Sequence, residues 1–221
     1  MNRNELALLL DHSVLKPEAT EQDIDAGADV VRTWRIGFYC VQPWWVRDAA
    51  AALSGTDARV VAVVGFPHGC DRAEVKARAA AIAVADGAGE IDMVLGIGAL
   101  RSGHSTAVAA DIAGVVRAVP GIPVKVILET AALTDDEKTL ACRLARDAGA
   151  AFVKTSTGFH PSGGATLADV RLMRATVGPL TGVKASGGIR NLADTLAMID
   201  AGANRIGTSA SAAILAALAS G

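Results

Sequence analysis

Short runs of β-branched and other apolar residues alternate along the chain with longer Ala-rich segments that carry charges at helical spacing. This alternation is typical of βα units and of a parallel sheet. It predicts eight strands, at residues 8–12, 37–41, 59–64, 90–93, 124–129, 151–154, 182–185 and 205–207.

The segments between and after these strands predict eight helices, at residues 21–34, 43–53, 71–86, 105–119, 134–147, 165–176, 191–200 and 209–219. The run TDDE that begins at Thr134 resembles a capping box, and Gly149 and Gly202 follow helices where a left-handed residue is favoured. The similar phrases DGA at 86–88 and DAGA at 147–150 and 200–203 indicate repeated helix-to-strand turns.

Eight βα units in 221 residues predict one α/β domain over residues 1–221, folded as a (β/α)8 TIM barrel. An open doubly wound sheet is the structural alternative. No predicted strand is followed by the GxGxxG turn that such sheets use to bind dinucleotides, which favours the barrel.

The composition is that of a globular protein, with 51% hydrophobic residues and a formal net charge of −2. This charge and the 4% aromatic content argue against nucleic acid as a partner. The apolar runs at 6–10 and 210–219 are too short for a signal-peptide core or a membrane span, so no membrane partner is expected. Cys40, Cys70 and Cys142 form no CxxC motif, and a cytoplasmic protein is predicted.

In a barrel of this kind, chemistry is expected where strands end at a charge or a glycine. Lys154 ends the sixth predicted strand. Desolvating an isolated ammonium is costly, and the usual response is a lowered pKa that leaves a neutral, nucleophilic amine. A lysine paired with a carboxylate at the barrel mouth would explain the same position without catalysis.

Lys184 ends the next strand, one βα unit later, so the two lysines are expected side by side at the same mouth. Two like charges a few Å apart are costly, so one of the two lysines is predicted to have a pKa well below about 10.4 and to form a Schiff base. The alternative, two structural lysines, requires additional carboxylates.

A carboxylate in the fourth predicted strand, Asp92, is positioned to reach the same mouth, either as a general acid and base or as a counter-charge for a lysine. Lys125 and Glu129 lie on one face of the fifth strand, where a buried ion pair is the more common interpretation. These two are treated as support residues.

Glycine-containing turns follow the last three predicted strands and bring Gly158, Gly187, Gly188, Gly207 and Ser209 to the barrel mouth. Glycines allow close approach of backbone N–H groups to an anion, and barrels commonly bind phosphate in the last βα loops. A phosphorylated small molecule is therefore predicted as the ligand. No metal-ligand cluster or Walker loop is present, so no metal and no nucleotide cofactor are expected. The three tryptophans, Trp34, Trp44 and Trp45, are interpreted as packing residues.

These residues resemble the deoxyribose-phosphate aldolase family of class I lyases, which fold as (β/α)8 barrels. The resemblance spans most of the chain and rests on six segments: LDHSVLKP at 10–17, VGFP at 64–67, EIDMV at 90–94, FVKTSTG at 152–158, VKASGGIR at 183–190 and RIGTS at 205–209.

The resemblance implies reversible cleavage of 2-deoxy-D-ribose 5-phosphate into acetaldehyde and D-glyceraldehyde 3-phosphate. It further implies that Lys154 forms the Schiff base, that Lys184 tunes it, and that Asp92 transfers protons. The glycine and serine positions named above match the family's phosphate-binding positions. The resemblance and the Ala-rich helices also favour a homodimer.

Three other hypotheses remain open at this stage. A Schiff-base aldolase could take another phosphorylated aldehyde or a keto acid. A sugar-phosphate sensor would bind without turnover, although the intact lysine pair and Asp92 argue against it. An isomerase needs no lysine pair and is the least favoured of the three.

Overall fold

The computed structural model describes residues 1–219, in which eight strands form one closed barrel. All neighbouring strands are parallel, and the last strand closes the sheet by pairing with the first, with Gly207 opposite Asp11. The expected (β/α)8 barrel is thereby confirmed. The strands are β1 Leu10–Val14, β2 Phe38–Val41, β3 Arg59–Val64, β4 Glu90–Val94, β5 Val124–Ile127, β6 Phe152–Lys154, β7 Gly182–Ser186 and β8 Arg205–Thr208.

Helices surround the barrel and connect each strand to the next. The α-helices are α1 Arg3–Ala7, α2 Glu21–Trp34, α3 Val46–Ala52, α4 Ala73–Ala85, α5 Ile97–Arg101, α6 Ser105–Ala118, α7 Asp135–Asp147, α8 Leu167–Val177, α9 Leu192–Asp200 and α10 Ser211–Ala219. Short 3-10 helices cover Pro43–Trp45 and Thr130–Ala132.

The first strand is displaced by two residues from its predicted position at 8–12. The preceding residues form α1, because Asn2 and Glu5 make a capping box that starts a helix before the apolar run can extend. The short helix α5 was likewise not predicted. Every other predicted strand and helix overlaps an observed one, and residues 59–64 and 21–34 match it at both ends.

The predicted turn chemistry is confirmed at the ends of the helices. Thr134 and Glu137 form a reciprocal capping box at the start of α7. Gly87, Gly149 and Gly202 have φ angles of 112°, 88° and 114°, which a residue with a side chain adopts only under strain. The repeated phrases in the sequence are therefore the same helix-to-strand turn used three times.

The two faces of the strands differ in chemistry. The outward-facing residues, such as Ile91, Val126 and Ile206, are fully buried and belong to one continuous apolar core with the helices. The inner face of β4–β8 carries charged side chains, whereas β2 and β3 contribute the apolar Cys40, Val61 and Val63. The barrel interior thus has a charged side and an apolar side.

Two of the three tryptophans pack as expected, because Trp34 and Trp45 lie against the core. The interpretation of Trp44 as a packing residue is wrong, since 82% of its surface is exposed. It lies in the 3-10 helix after β2, which points this residue away from the barrel. Within residues 1–219, no helix is both long enough and apolar enough to cross a membrane.

Candidate active site

The two lysines predicted at the barrel mouth lie opposite each other in the sheet. Lys154 is the last residue of β6 and pairs in register with Lys184 of β7. Both side chains point into the barrel and are almost completely buried. Parallel strands in this register place residues one βα unit apart at the same height, so the predicted proximity of the two ammonium groups is confirmed.

A single carboxylate oxygen joins the two lysines. The Oδ2 atom of Asp92 accepts a hydrogen bond from Lys154 Nζ at 2.9 Å and one from Lys184 Nζ at 2.7 Å. Its Oδ1 atom accepts one from Lys125 Nζ at 2.8 Å. Asp92 is fully buried, and although burial alone would raise its pKa, these three ammonium groups hold that pKa well below its usual range.

A second carboxylate, Asp11 of β1, also contacts Lys184. Burial alone would lower the pKa of Lys184, but Asp11 and Asp92 together raise it above its ordinary value. Lys184 is therefore not the lysine of the pair for which a lowered pKa was expected. The additional carboxylates that the structural alternative required are present.

Asp11 was missed in the sequence because its role depends on barrel closure. Its partner Lys184 is more than 170 positions away in the chain. The two meet inside the closed barrel, where β8 lies between β7 and β1 and pairs with both. The displaced prediction for the first strand also placed Asp11 inside the strand rather than near its start. A charged residue in an otherwise apolar strand was the available signal.

Lys125 and Glu129 do not form the expected ion pair with each other. Lys125 Nζ lies 2.5 Å from Glu90 and 2.8 Å from Asp92, and Arg205 also contacts Glu90 at 3.1 Å. These groups continue the charged network from the mouth toward the bottom of the barrel. Glu129 lies beyond the end of β5 and hydrogen bonds to Thr157 instead. Neither Lys125 nor Glu129 lines the cavity at the barrel mouth, which agrees with their interpretation as support residues.

A cavity of about 760 Å³ opens at the C-terminal ends of the strands. Of the lysine pair and Asp92, only Lys154 lines it; Lys184 and Asp92 lie behind. Of these three groups, Lys154 is therefore the one placed to contact a ligand directly; a second lysine, Lys16, also lines the cavity but is exposed. All five predicted phosphate-binding residues line the same cavity, namely Gly158, Gly187, Gly188, Gly207 and Ser209.

The backbone of these loops is suited to binding an anion. Gly158, Gly187 and Gly188 have φ angles of 85°, 90° and 84°. Within residues 1–219, the N–H groups of these three glycines and of Ser209 donate to no other part of the chain. Unpaired N–H groups converging on one cavity are the usual means by which loops and helix N-termini hold phosphate.

The absence of a side chain at Gly207 serves a different purpose. A Cβ atom there would lie 3.0 Å from Lys184 Cε and 3.0 Å from Ser186 Cβ. Gly207 therefore leaves room for the Lys184 side chain to reach Asp11 and Asp92.

The apolar side of the interior contains a thiol, Cys40, close to the charged cluster. Burial raises the pKa of Cys40 to about 12, and the neighbouring Asp11 adds to this rise. Because the thiolate is the reactive form of cysteine, Cys40 is not a nucleophile near neutral pH.

Comparison with known proteins gives one consistent result. Residues 6–217 match the sequence model described as DeoC/LacD family aldolase. The chain is 53% identical over 212 residues to deoxyribose-phosphate aldolase of Enterococcus faecalis, with 96% of each chain covered. It is 55% identical over 215 residues to the enzyme of that name from Methanothermobacter thermautotrophicus, covering 96% of this chain and 95% of the relative.

Solved structures agree with the sequence relatives. The tetrameric deoxyribose phosphate aldolase from Aeropyrum pernix superimposes with a TM-score of 0.90 and 32% identity, and the match covers 99% of this chain and 93% of that one. The similarity thus extends over the whole barrel on both sides of the comparison.

Proposed function

The chain belongs to the DeoC/LacD family of aldolases, and on that premise we propose how its residues carry out the reaction. It is a class I aldolase, a lyase that reversibly cleaves 2-deoxy-D-ribose 5-phosphate into acetaldehyde and D-glyceraldehyde 3-phosphate. One observation carries the assignment of roles. Asp92 Oδ2 bonds to both Lys154 and Lys184, and of these three side chains only Lys154 lines the cavity.

Lys154 is the Schiff-base residue of this proposal. Once it has lost its proton, the Lys154 amine attacks the aldehyde carbon C1 to form a carbinolamine, and protonation of the carbinolamine hydroxyl with loss of one water gives an iminium ion. The iminium withdraws electrons from the C2–C3 bond. Lys184, whose pKa is raised by its two carboxylates, stays an ammonium and does not compete as a nucleophile.

Asp92 transfers protons in the steps that follow. Removal of the C3 hydroxyl proton, passed to Asp92 through a water molecule, breaks the C2–C3 bond, releases D-glyceraldehyde 3-phosphate and leaves an enamine on Lys154. Protonation of C2 converts this enamine into the iminium of acetaldehyde, and addition of one water releases acetaldehyde. Asp92 bonds to Lys154 directly and to the ammonium of Lys184, so it connects the reacting nitrogen with a proton donor.

The glycine loops bind the phosphate at the other end of the substrate. The unpaired N–H groups of Gly158, Gly187, Gly188 and Ser209 face a dianion in this proposal, and Gly207 keeps the loop after β8 close to Lys184. Fixing the phosphate orients the aldehyde carbon toward Lys154, so that binding energy far from the reaction contributes to the rate.

Reductive trapping tests the assignment of Lys154. Sodium borohydride in the presence of acetaldehyde should reduce the iminium to an N-ethyl lysine, which intact mass and peptide mapping locate on Lys154. Lys154→Met should abolish the adduct and lower kcat/KM by on the order of 10³-fold or more, because the nucleophile is lost.

Lys138→Met is the matched control. Like Lys154, Lys138 is paired with carboxylate, in its case with Asp135 at 2.9 Å and Asp169 at 2.7 Å, but it lies on α7 outside the cavity. This variant should retain both the adduct and the activity. An adduct with pyruvate instead of acetaldehyde would identify a keto-acid aldolase, and a folded protein that forms no adduct on any lysine would be a sugar-phosphate sensor.

We also propose a homodimer and a cytoplasmic location. Large apolar side chains on the surface support the dimer, among them Trp44 and Leu180, which are 82% and 98% exposed. Light scattering after size exclusion gives the mass of the assembly, and a monomer at micromolar concentration would contradict the dimer.

The proposed cytoplasmic location is supported by the thiols. The free thiols of Cys40, Cys70 and Cys142 are consistent with a reducing compartment.

A further inference from the structure

Glu129 is a buried carboxylate to which the mechanism above gives no role. It follows β5 and is 1% exposed. Its φ angle of 57° places its backbone in the left-handed region, which residues other than glycine adopt only at an energetic cost. Within residues 1–219, no cation pairs with its carboxylate. A buried, strained and unpaired carboxylate is expensive, so its position requires an explanation.

Among the described residues 1–219, the hydrogen bonds that its carboxylate accepts all come from one residue of the loop after β6. The N–H group of Thr157 lies 3.2 Å from Oε1 and 3.3 Å from Oε2, and the Thr157 hydroxyl donates to Oε2 at 2.5 Å. The same hydroxyl oxygen accepts the N–H of Phe159 at 3.0 Å. Glu129 therefore holds Thr157, and Thr157 in turn holds Phe159.

These contacts leave one N–H group available in the middle of the loop. The N–H groups of Thr157 and Phe159 are both occupied, whereas that of Gly158, between them, donates to no other group in residues 1–219. Gly158 lines the cavity with a φ of 85°. Glu129 thus fixes the two residues that flank a free donor.

We propose that Glu129 is a positioning residue that shapes the loop 157–159 for the phosphate group of the substrate. The inference rests on the proposed function, because it takes the cavity to bind a phosphorylated aldehyde. It assigns Glu129 no contact with the substrate. The carboxylate acts only through Thr157 on the placement of the Gly158 N–H.

A carboxylate suits this task better than an amide. Both groups of Thr157 that face Glu129 are donors, and a carboxylate accepts hydrogen bonds at both of its oxygens. The NH₂ group of a glutamine would oppose one of these donors. Glu129→Gln keeps the size of the side chain, so it disturbs the loop with little change in packing.

Three readouts separate an effect on phosphate binding from an effect on the reactivity of Lys154. In Glu129→Gln, we expect KM for 2-deoxyribose 5-phosphate to rise about tenfold, the size of one lost charge-assisted hydrogen bond. Borohydride trapping of acetaldehyde, which carries no phosphate, should proceed at the wild-type rate. Inorganic phosphate should likewise inhibit trapping of the phosphorylated substrate less effectively in the variant than in the wild type.

Glu137→Gln is the matched control. Glu137 also accepts the N–H of a threonine, Thr134, at 2.8 Å, but in the capping box of α7 and outside the cavity. This variant should keep both KM and the trapping rate. Any change that appears equally in the two variants would be an effect on stability alone.

Variants of Thr157 decide the question if Glu129→Gln does not fold. Thr157→Val removes the hydroxyl that links Glu129 to Phe159, and it should raise KM without slowing trapping; Thr157→Ser, which restores the hydroxyl, should reverse most of the rise. A rise in KM accompanied by an equal fall in the trapping rate, or an unchanged KM in folded Glu129→Gln, would overturn the inference. Failure of trapping in the wild type would instead contradict the proposed function.

Discussion

The structure buries lysines in two places, and the surroundings of these lysines differ. Outside the barrel, Lys76 of α4 pairs with Asp111 of α6 at 2.6 Å and donates to the carbonyl of Val94 at 3.0 Å. At the barrel mouth, Lys154 and Lys184 share Asp92. Lys76 is as buried as they are, and it lines a cavity of its own of about 350 Å³.

The difference lies in how the carboxylates are shared. Asp111 pairs with one lysine, Lys76, and its Oδ1 atom has no hydrogen-bond partner within residues 1–219. Asp92 serves three lysines with its two oxygens, and two of them meet at the same atom. A one-to-one pair neutralises a buried charge, whereas in the proposed mechanism the shared carboxylate links the reactive amine of Lys154 to the ammonium of Lys184. Burial of a lysine alone is therefore a poor guide to catalysis.

Removing the acid from each pair gives the largest expected effect. Asp92→Asn leaves Lys154 without a carboxylate partner and removes the proposed proton transfer, so we expect kcat/KM to fall by roughly 10²–10⁴-fold. Asp111→Asn makes the same change in the other pair and should leave kcat/KM per folded molecule unchanged. Retro-aldol rates, normalised to the folded fraction, measure both. Equal losses in the two variants would remove the distinction drawn between the pairs.

Removing the base from the outer pair tests its structural role. Lys76→Met leaves Asp111 buried without a cation, and we expect a loss of about 3–5 kcal/mol in the free energy of unfolding. The double variant Lys76→Met/Asp111→Leu should recover much of this loss, because no uncompensated charge remains. Urea unfolding measures the stabilities. A rate per folded molecule below that of the wild type would give the outer pair a catalytic role after all.

The sequence predicted the barrel and the meeting of Lys154, Lys184 and Asp92 because these depend on local patterns. Strand ends follow from apolar runs, and residues one βα unit apart necessarily become neighbours in a parallel sheet. The positions of the two lysines and of the aspartate at the barrel mouth could therefore be predicted without knowledge of long-range contacts.

Other features depended on contacts that no local pattern encodes. Asp11 reaches Lys184 only after the barrel closes. Lys125 pairs with Asp92 because the register of β4 and β5 places the two opposite each other, and it also contacts Glu90, two residues earlier in β4. The left-handed backbone of Glu129 likewise has no signal in the sequence, since glutamate rarely adopts it. The raised pKa of Lys184 likewise depends on Asp11, whose contact with this lysine was not foreseen.

His12 sharpens the comparison by showing what burial does to a group that forms no ion pair with any of residues 1–219. It is 6% exposed, stacks on Tyr39 and contacts the Ser211 hydroxyl at 3.2 Å. Burial lowers the pKa of His12 from 6.5 to about 4, and the partial opposition of Asp11 does not reverse this. Where Asp11 and Asp92 keep Lys184 charged, His12 stays neutral.

The pH dependence of stability follows from this shift and is the smallest effect we expect. Because the pKa is lower in the folded state, the unfolded chain binds the extra proton, so the contribution of His12 is complete above about pH 6.5 and is lost as the pH falls toward 4. The full loss amounts to about 3 kcal/mol. His12→Asn should therefore flatten the decline in the free energy of unfolding between pH 7 and 4, whereas the exposed control His104→Asn should keep the wild-type slope. Parallel curves for wild type and His12→Asn would mean that folding does not lower the pKa of His12, and that burial without an ion pair does not disfavour its charged form.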